Sequence, residues 1–327
     1  MTPILIAGAG PAGSSAALAA LSQGAEVRLY EKSLLPRHRV CGEFLSPEIQ
    51  PALESLGVWS EFQGAGPSRI RSVRLHFGRR EKSWRLSTPA FGLSRSRLDH
   101  LLFEAAIARG AELFRQAFLP NGHTTILACG RQGSAPRGDR LFGFKAHFTG
   151  PLDDAVDLFF QARAYAGVSV VEGGATNVCG LAPESVLADH AFDPGRFIES
   201  WPALRERLAP LARVMDWLTT GPLVFGLDRS PSLPNHYRAG DALGFIDPFT
   251  GSGILSALFT GRMAGVAATR GTPSSEYHRQ CARLLRMQYR VSSLLRFAIL
   301  SGWAEELARW APGDLLFYLT RPHLALK

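Results

Sequence analysis

Lysine is almost missing from this chain. Only Lys32, Lys82, Lys145 and Lys327 are present among 36 basic residues, so the formal net charge of +8 is carried by arginine. The arginines are scattered, with no run and no aromatic-interleaved patch, which argues against nucleic acid as a partner. Cysteine is scarce as well. Cys41, Cys129, Cys179 and Cys281 stand far apart and form no Cys-x-x-Cys pair. That spacing points away from a zinc or iron–sulfur site, and a reduced cytoplasmic setting is expected. No apolar run reaches the ~18 residues that cross a bilayer. The opening "MTPILIAGAG" lacks a basic leader and a cleavage site, so no signal peptide is expected. What the chain does have is 46% apolar residues over 327 positions. That is enough for a sizeable core in one large domain or two closely joined ones.

The first forty residues read as strand, glycine turn, helix, strand. "PILIAGAG" is a short apolar run, "GPAGSSAALAALSQGA" favours a helix, and "EVRLYEK" is a second strand. Between them lie Gly8, Gly10, Pro11, Ala12 and Gly13, a full Gly-x-Gly-x-x-Gly, and Glu31 closes the second strand. The three glycines serve different purposes. Gly8 permits the turn, Gly10 lets a pyrophosphate approach the backbone, and Gly13 lets helix and strand pack closely. The helix start offers free N–H groups to the phosphates. Glu31 can accept from ribose hydroxyls, which favours FAD or NAD over NADP.

A second stretch, "GDALGFIDPFTGSGILSAL" from Gly240 to Leu258, decides between the two. A strand running into Gly240-Asp241 leaves a carboxylate at its end, and a flavin cofactor has a ribityl chain for that acid to hold. Pro248 then turns the chain, and Gly251, Ser252, Gly253 and Ile254 open an apolar helix whose free N–H groups can face the flavin ring. A helix N-terminus there stabilises negative charge on a reduced flavin.

Together these segments resemble FAD-dependent oxidoreductases of the geranylgeranyl reductase-like group, within the p-hydroxybenzoate hydroxylase-type superfamily. "PRHRVCGEFLSPE" is similar to the loop after the second strand in that group. "LSRSRLDHLLFEAAIARGAE" resembles its Arg-x-x-Leu-Asp helix, and "ILACGRQG", with Ala128 and Gly130, resembles the strand and turn that return to the dinucleotide. The likeness covers about residues 3–260. It implies that Arg39 and Arg95 approach the phosphates or ribityl chain, beside Lys32, and that Cys41 and Gly42 lie near the flavin ring. Cys41, Phe245, Pro248 and Tyr165 are the implied residues of the reacting centre. The chain departs from the pattern in three places. Residues 111–126 are too short for the usual hairpin. Tyr165 is not followed by the Tyr-x-Trp-x-Phe-Pro pattern of isoprenoid reductases. The Trp-x-Trp-x-Ile-Pro signature of flavin halogenases is missing, so halogenation is not expected.

The expected fold is α/β: a Rossmann-type FAD-binding domain from residues 1–64, 90–135 and 235–275, interrupted by an antiparallel-sheet substrate domain from 65–89 and 140–234. A helical segment, 276–327, follows. Residues 69–86 read as a hairpin around Gly78, and residues 141–150 and 157–171 as strands, with Lys145 and His147 on one face. His147 is a candidate general acid. The basic amphipathic C-terminal helix reads either as packed on the body with its arginines outward, which is favoured, or as lying on a membrane surface. The expected activity is hydride transfer through the flavin to or from an apolar, isoprenoid- or polyketide-like substrate. The alternatives are a single-component flavin monooxygenase acting on an aromatic or polyketide substrate, and a non-catalytic electron carrier. No second Gly-x-Gly-x-x-Gly is present, so NAD(P)H bound transiently or a separate reductase is the expected electron donor.

Overall fold

The computed structural model describes residues 2–78, 80–119, 123–131, 140–161, 163–228, 230–306 and 321. Along the chain the elements are β1 (Ile4–Ala7), α1 (Pro11–Ser22), β2 (Val27–Tyr30), β3 (Phe44–Leu45), α2 (Ile49–Ser55), α3 (Trp59–Gly64), β4 (Ser68–Phe77), β5 (Arg80–Gly92), α4 (Arg95–Ala108), β6 (Glu112–Phe114) and β7 (Thr125–Leu127). Then come β8 (Leu141–Thr149), β9 (Ala155–Gln161), β10 (Ala164–Val170), β11 (Ala175–Pro183), α5 (Glu184–Ala188), α6 (Pro194–Glu199) and α7 (Pro202–Leu208). The chain continues with β12 (Ala212–Arg213), β13 (Leu218–Thr220), β14 (Gly226–Leu227), β15 (His236–Arg238), β16 (Gly244–Phe245), α8 (Gly253–Thr269) and α9 (Ser274–Leu300).

The first sheet has the order β15-β7-β1-β2-β6, and every pairing in it is parallel. β1 is buried throughout, as a strand covered on both faces must be. The order doubles back at β1, which places the ends of β1, β2 and β15 around one crevice, the usual ligand position in such sheets. α1 lies against this sheet. Its serines are satisfied inside the core: Ser14 Oγ donates to the Ala9 carbonyl, and Ser15 Oγ to that of Leu258 on α8 at 2.7 Å. α8 approaches so closely that a Cβ on Gly261 would stand 2.1 Å from the Ala12 carbonyl oxygen, and one on Gly265 2.3 Å from that of Ala16.

The second sheet runs β12-β8-β11-β10-β9-β4-β5-β3, with β13 also on β8. It is not purely antiparallel, because β4 pairs with β9 in parallel. Residues 157–171 do not form one strand. They turn at Arg163, whose φ is 64°, into the hairpin β9–β10. β4 and β5 form the expected hairpin, turning at Gly78 with φ 61°; Arg79 lies outside the described residues. Among the described residues of 111–126 the chain forms β6 and the first residues of β7, while 120–122 lie outside the described residues. α9 buries Tyr277, Cys281, Leu285, Leu295 and Ile299, and turns Arg279, Arg283, Arg286 and Arg290 outward. The rest of the segment expected to be helical, 307–320 and 322–327, lies outside the described residues. No described helix is long and apolar enough to cross a membrane.

Candidate functional site

At the end of β1, Gly8 has φ 101°, and a Cβ there would stand 2.5 Å from the Ala128 carbonyl oxygen. A Cβ on Gly13 would stand 1.7 Å from the Gly8 carbonyl oxygen. Gly10, between them, faces open space to 4 Å. Pro11 starts α1, which has no side-chain cap and no acid in its first turn, so no side chain competes for its first N–H groups. Glu31 is buried beside this turn. It accepts from the Ala9 N–H at 3.1 Å and the Ser33 N–H at 2.8 Å. Lys32 and Arg39 are exposed, and Arg37 rather than Arg39 reaches Glu31, at 3.6 Å. The path of the loop after β2 decides which arginine points back, and residue spacing does not encode that path.

Across the crevice, Gly240 has φ 59° and donates its N–H to Thr260 Oγ1 at 2.9 Å. Asp241 follows, half-buried, and its carboxylate makes no hydrogen bond among the described residues. Burial holds its pKa above the usual range, and Arg95 and Arg131 pull the other way. Arg95 is clamped by Asp99 through two hydrogen bonds of 2.7 and 2.8 Å. Burial disfavours its charge, but Asp99 outweighs burial and keeps the guanidinium charged. Ala128 follows β7, and its carbonyl oxygen is the atom a Cβ on Gly8 would meet; Gly130, two residues on, has φ 86°. Gly251, with φ 64°, and Gly253 open α8, again with no side-chain cap, while Ser252 and Ile254 are buried.

An open helix start, a buried acid at the end of β2 and an unpartnered carboxylate between two arginines fit an FAD molecule. Gly10–Gly13 would hold the pyrophosphate, Glu31 the adenosine ribose, Asp241 the ribityl hydroxyls, and the N–H groups of Gly251–Ile254 the ring edge. When bound, FAD supplies the two-electron redox chemistry, and the protein supplies position and electrostatics.

Beside the α8 start lies an aromatic cluster. Phe249 meets Tyr165 edge-on at 5.8 Å and Phe160 at 5.7 Å, and Phe245 faces Phe225 at 5.4 Å. Leu181 and Leu223 close it. Burial holds the Tyr165 phenol well above its usual range, so it stays neutral. Pro248 opens a short turn that Asp247 caps, accepting from the Phe249 N–H at 3.1 Å. Asp247 is buried, and burial pushes its carboxyl up to about 6 against the pull of Arg296, whose guanidinium is 3.6 Å away. The Cys41 thiol is likewise pushed up by burial, so it is a neutral group and not a thiolate nucleophile. Gly42 packs against Cys179, whose Sγ would lie 3.7 Å from a Cβ there.

Sequence reasoning passed over Glu43, Asp247, Arg131 and Arg296, and met Asp99 only as the acid of the Arg-x-x-Leu-Asp pattern; its spacing of four from Arg95 on one helix face is the signal of their pairing. Glu43 and Asp247 stand inside stretches that resemble the family, and an acid among apolar and glycine residues is the signal they offered. Lys145 and His147 do share one face of β8, and both end on Glu43.

Residues 1–123 match the family model described as FAD binding domain. A tryptophan 2-halogenase of Chondromyces crocatus is 33% identical over 119 residues, 35% of this chain and 22% of that protein. A flavin-dependent halogenase of Metacordyceps chlamydosporia is 33% identical over 113 residues, and this chain again covers 22% of it. The chain therefore spans about a fifth of the length of the curated relatives it matches. Among solved structures, a triple mutant of a flavin-dependent brominase superposes with a TM-score of 0.83 at 16% identity, covering 97% of this chain and 93% of that one. A geranylgeranyl bacteriochlorophyll reductase-like protein of Thermoplasma acidophilum superposes at 0.72 with 19% identity, covering 97% and 91%. Halogenase likeness thus exists without the Trp-x-Trp-x-Ile-Pro signature, and the geranylgeranyl reductase likeness is one of fold. Residues 1–123 carry the fold and the sequence pattern of the FAD binding domain family.

Proposed function

We propose that this protein is an FAD-dependent oxidoreductase that substitutes an apolar, aromatic-sized substrate in an oxygen-dependent reaction, with electrons delivered by a separate reductase. The carrying observation is the adjacency of the two halves of the site. Phe249 stands two residues before Gly251, and its ring packs on Tyr165 of the substrate sheet. A flat apolar substrate in that cluster lies beside the glycines that hold the ring edge. The relatives named as halogenases support oxygen chemistry over simple reduction. The sequence holds no second dinucleotide fingerprint, which supports an external donor. In this reading Arg95 and Asp241 orient the cofactor, the apolar cluster excludes water, and Tyr165 stays neutral at the substrate.

Hydride transfer to a double bond is the second reading, and Tyr165 favours it. A neutral phenol in an apolar wall can give its proton to the carbon next to the one that takes the hydride. Product analysis separates the two. The FAD-loaded protein is supplied with a flavin reductase, oxygen and bromide, and offered phenol, resorcinol and indole as probes. Hydroxylated or brominated rings are the expected products by mass spectrometry. A hydrogenated product from an unsaturated ketone under anaerobic reduction would transfer the assignment to hydride transfer. A protein that takes up no FAD would overturn both.

A further inference from the structure

Folding gathers part of the scattered arginine onto one face of α9, which the oxygen-dependent reaction does not use. α9 packs on the body through Tyr277, Cys281, Leu285, Leu295 and Ile299. Its opposite side carries a single stripe. Arg279, Arg283, Arg286, Arg290, Leu294 and Phe297 follow one another at intervals of three or four, so they line up along one helix face. All six are exposed. Met287 stands beside the stripe, and Trp303 follows the end of the helix. Leu294 is 60% exposed, Phe297 68% and Trp303 65%. Lone exposed apolar residues are ordinary, but a group of them asks for a cause. Four of the ten large hydrophobic side chains exposed among the described residues, namely Met287, Leu294, Phe297 and Trp303, fall in this one stretch, so it is a patch and not scatter.

The charge on this face has one sign. Between Glu276 and Glu305 the chain holds no acidic residue. Arg296 turns inward to Asp247, and the four outward arginines have no acidic partner among the described residues. The substrate sheet adds two guanidinium groups at the apolar end. Arg163, at the β9–β10 turn, donates to the Leu300 carbonyl at 3.2 Å, and Arg80 pairs with Glu305. Glu306 is exposed there as well. The stripe is therefore graded. Its first part, about 17 Å from Arg279 to Arg290, is cationic, and its far end is apolar. On the inner side of that far end, Ile299 and Leu300 wall a small cavity together with Tyr165, Leu181, Asp247 and Arg296. The last turn of α9 thus has the apolar patch on its outer side and this cavity on its inner side.

We propose that this face of α9 docks on an anionic membrane surface, with Arg279, Arg283, Arg286 and Arg290 against lipid phosphates and Leu294, Phe297 and Trp303 sunk into the headgroup layer. An arginine pairs with phosphate through its planar fork while its stem lies against apolar chains. Tryptophan favours the boundary between headgroups and acyl chains, where its ring is apolar and its N–H is wet. A dissolved acidic protein would have to supply carboxylates for four arginines and a fitted apolar seat for three protruding side chains. An anionic bilayer offers both in one surface and needs no matched shape. The helix lies on that surface and does not cross it, since no described helix is long and apolar enough to do so. Docking sets the cavity behind Ile299 and Leu300 next to a phase in which apolar molecules concentrate. That link to an apolar substrate rests on the function proposed above; the docking itself does not.

Co-sedimentation of the full chain with phosphatidylcholine vesicles, with and without phosphatidylglycerol, tests this. Binding should need the anionic lipid and weaken as salt is added. Arg283→Gln, Arg286→Gln and Arg290→Gln together should weaken it roughly a hundredfold, at roughly fivefold for each arginine near a charged surface. Leu294→Gln with Phe297→Gln should weaken it at least about tenfold. All five side chains point outward, so circular dichroism should show an unchanged fold. Arg69→Gln, Arg205→Gln and Arg213→Gln remove the same charge from exposed positions off α9 and should leave most of the binding. A loss equal to that of the α9 triple would overturn the proposal, because net charge alone would then explain it. Tryptophan emission should shift to the blue on binding, and Trp303→Phe should lack that shift. A full chain that ignores anionic vesicles overturns the proposal. So does equal affinity for dissolved polyglutamate that Leu294→Gln with Phe297→Gln leaves intact, in favour of an acidic protein. A dimer that the same pair of changes dissociates, seen by sedimentation equilibrium, overturns it in favour of a second copy. None of these readouts uses flavin, so failure to bind FAD would count against the function reading alone.

Discussion

At single residues the cradle separates a fold requirement from a ligand requirement. Gly13→Ala puts a methyl 1.7 Å from a backbone oxygen, so helix and strand must part. A loss of roughly 3 kcal/mol in apoprotein stability is expected by urea unfolding, at the upper end of overpacking costs. Gly10→Ala meets nothing within 4 Å, so the apoprotein should stay within about 0.5 kcal/mol of the unaltered chain. FAD affinity, read by flavin fluorescence, should fall at least tenfold, because the methyl occupies the space left for the pyrophosphate. Equal affinity in the Gly10→Ala protein would remove the dinucleotide from this turn.

Asp247 gives a pH signature. Its folded pKa, about 6, lies above the ordinary carboxylate value, so the folded state binds the proton more tightly. The stabilisation is complete at acid pH and is lost as pH rises from about 4 through about 6, a change of roughly 3 kcal/mol at about 1.4 kcal/mol per unit. Asp157 has the opposite sign. Hydrogen bonds from His76 and Arg74 outweigh burial and hold it at about 2, so its contribution is lost as pH falls from about 4 toward 2. The two windows do not overlap. Asp247→Asn should flatten the stability curve between pH 4 and 6 and leave the acid limb in place.

Among the elements, what could be read in the sequence followed how local the cause was. β1, α1 and β2 are consecutive, and Gly13 packs on Gly8 within the same turn, so motif and structure agree there. The β4–β5 hairpin turns at Gly78 for the same reason. Residues 161–164 hold no glycine or proline to signal a turn, and the hairpin turns there at an arginine with positive φ. Glu43 could not be assigned, because Lys145 and His147 stand 102 and 104 residues further on. Gly261 and Gly265 look like ordinary residues of an apolar helix until α1 is placed against them. Their tight seat yields a prediction. Gly265→Ala should cost about 2–3 kcal/mol, because α1 and α8 cannot both keep their axes. Since α1 carries the pyrophosphate turn, FAD affinity should fall with it, a coupling that calorimetric titration of the folded fraction would show. Unchanged affinity in a destabilised protein would mean that the turn is held by the sheet alone.

Across the whole molecule, α9 reaches the site through Arg296. Arg296 of α9 lies 4.2 Å over the Phe225 ring and 3.6 Å from Asp247. The strands β14 and β16 join Phe225's neighbour Gly226 to Phe245, so α9, the aromatic cluster and the turn before α8 form one packed unit. The Arg296 charge offsets part of the cost of burying an ionised Asp247. Arg296→Met keeps an apolar stem on Phe225 and removes that offset, so the Asp247 pKa should move further up and the loss of stability should shift to higher pH. In Asp247→Asn the same change has no carboxylate to act on. A double-mutant cycle at pH 7.5 should therefore give a coupling energy above about 0.5 kcal/mol, shrinking as pH falls below 5 and Asp247 takes its proton. A coupling that persists unchanged at low pH would mean that α9 holds the site by packing and not by charge.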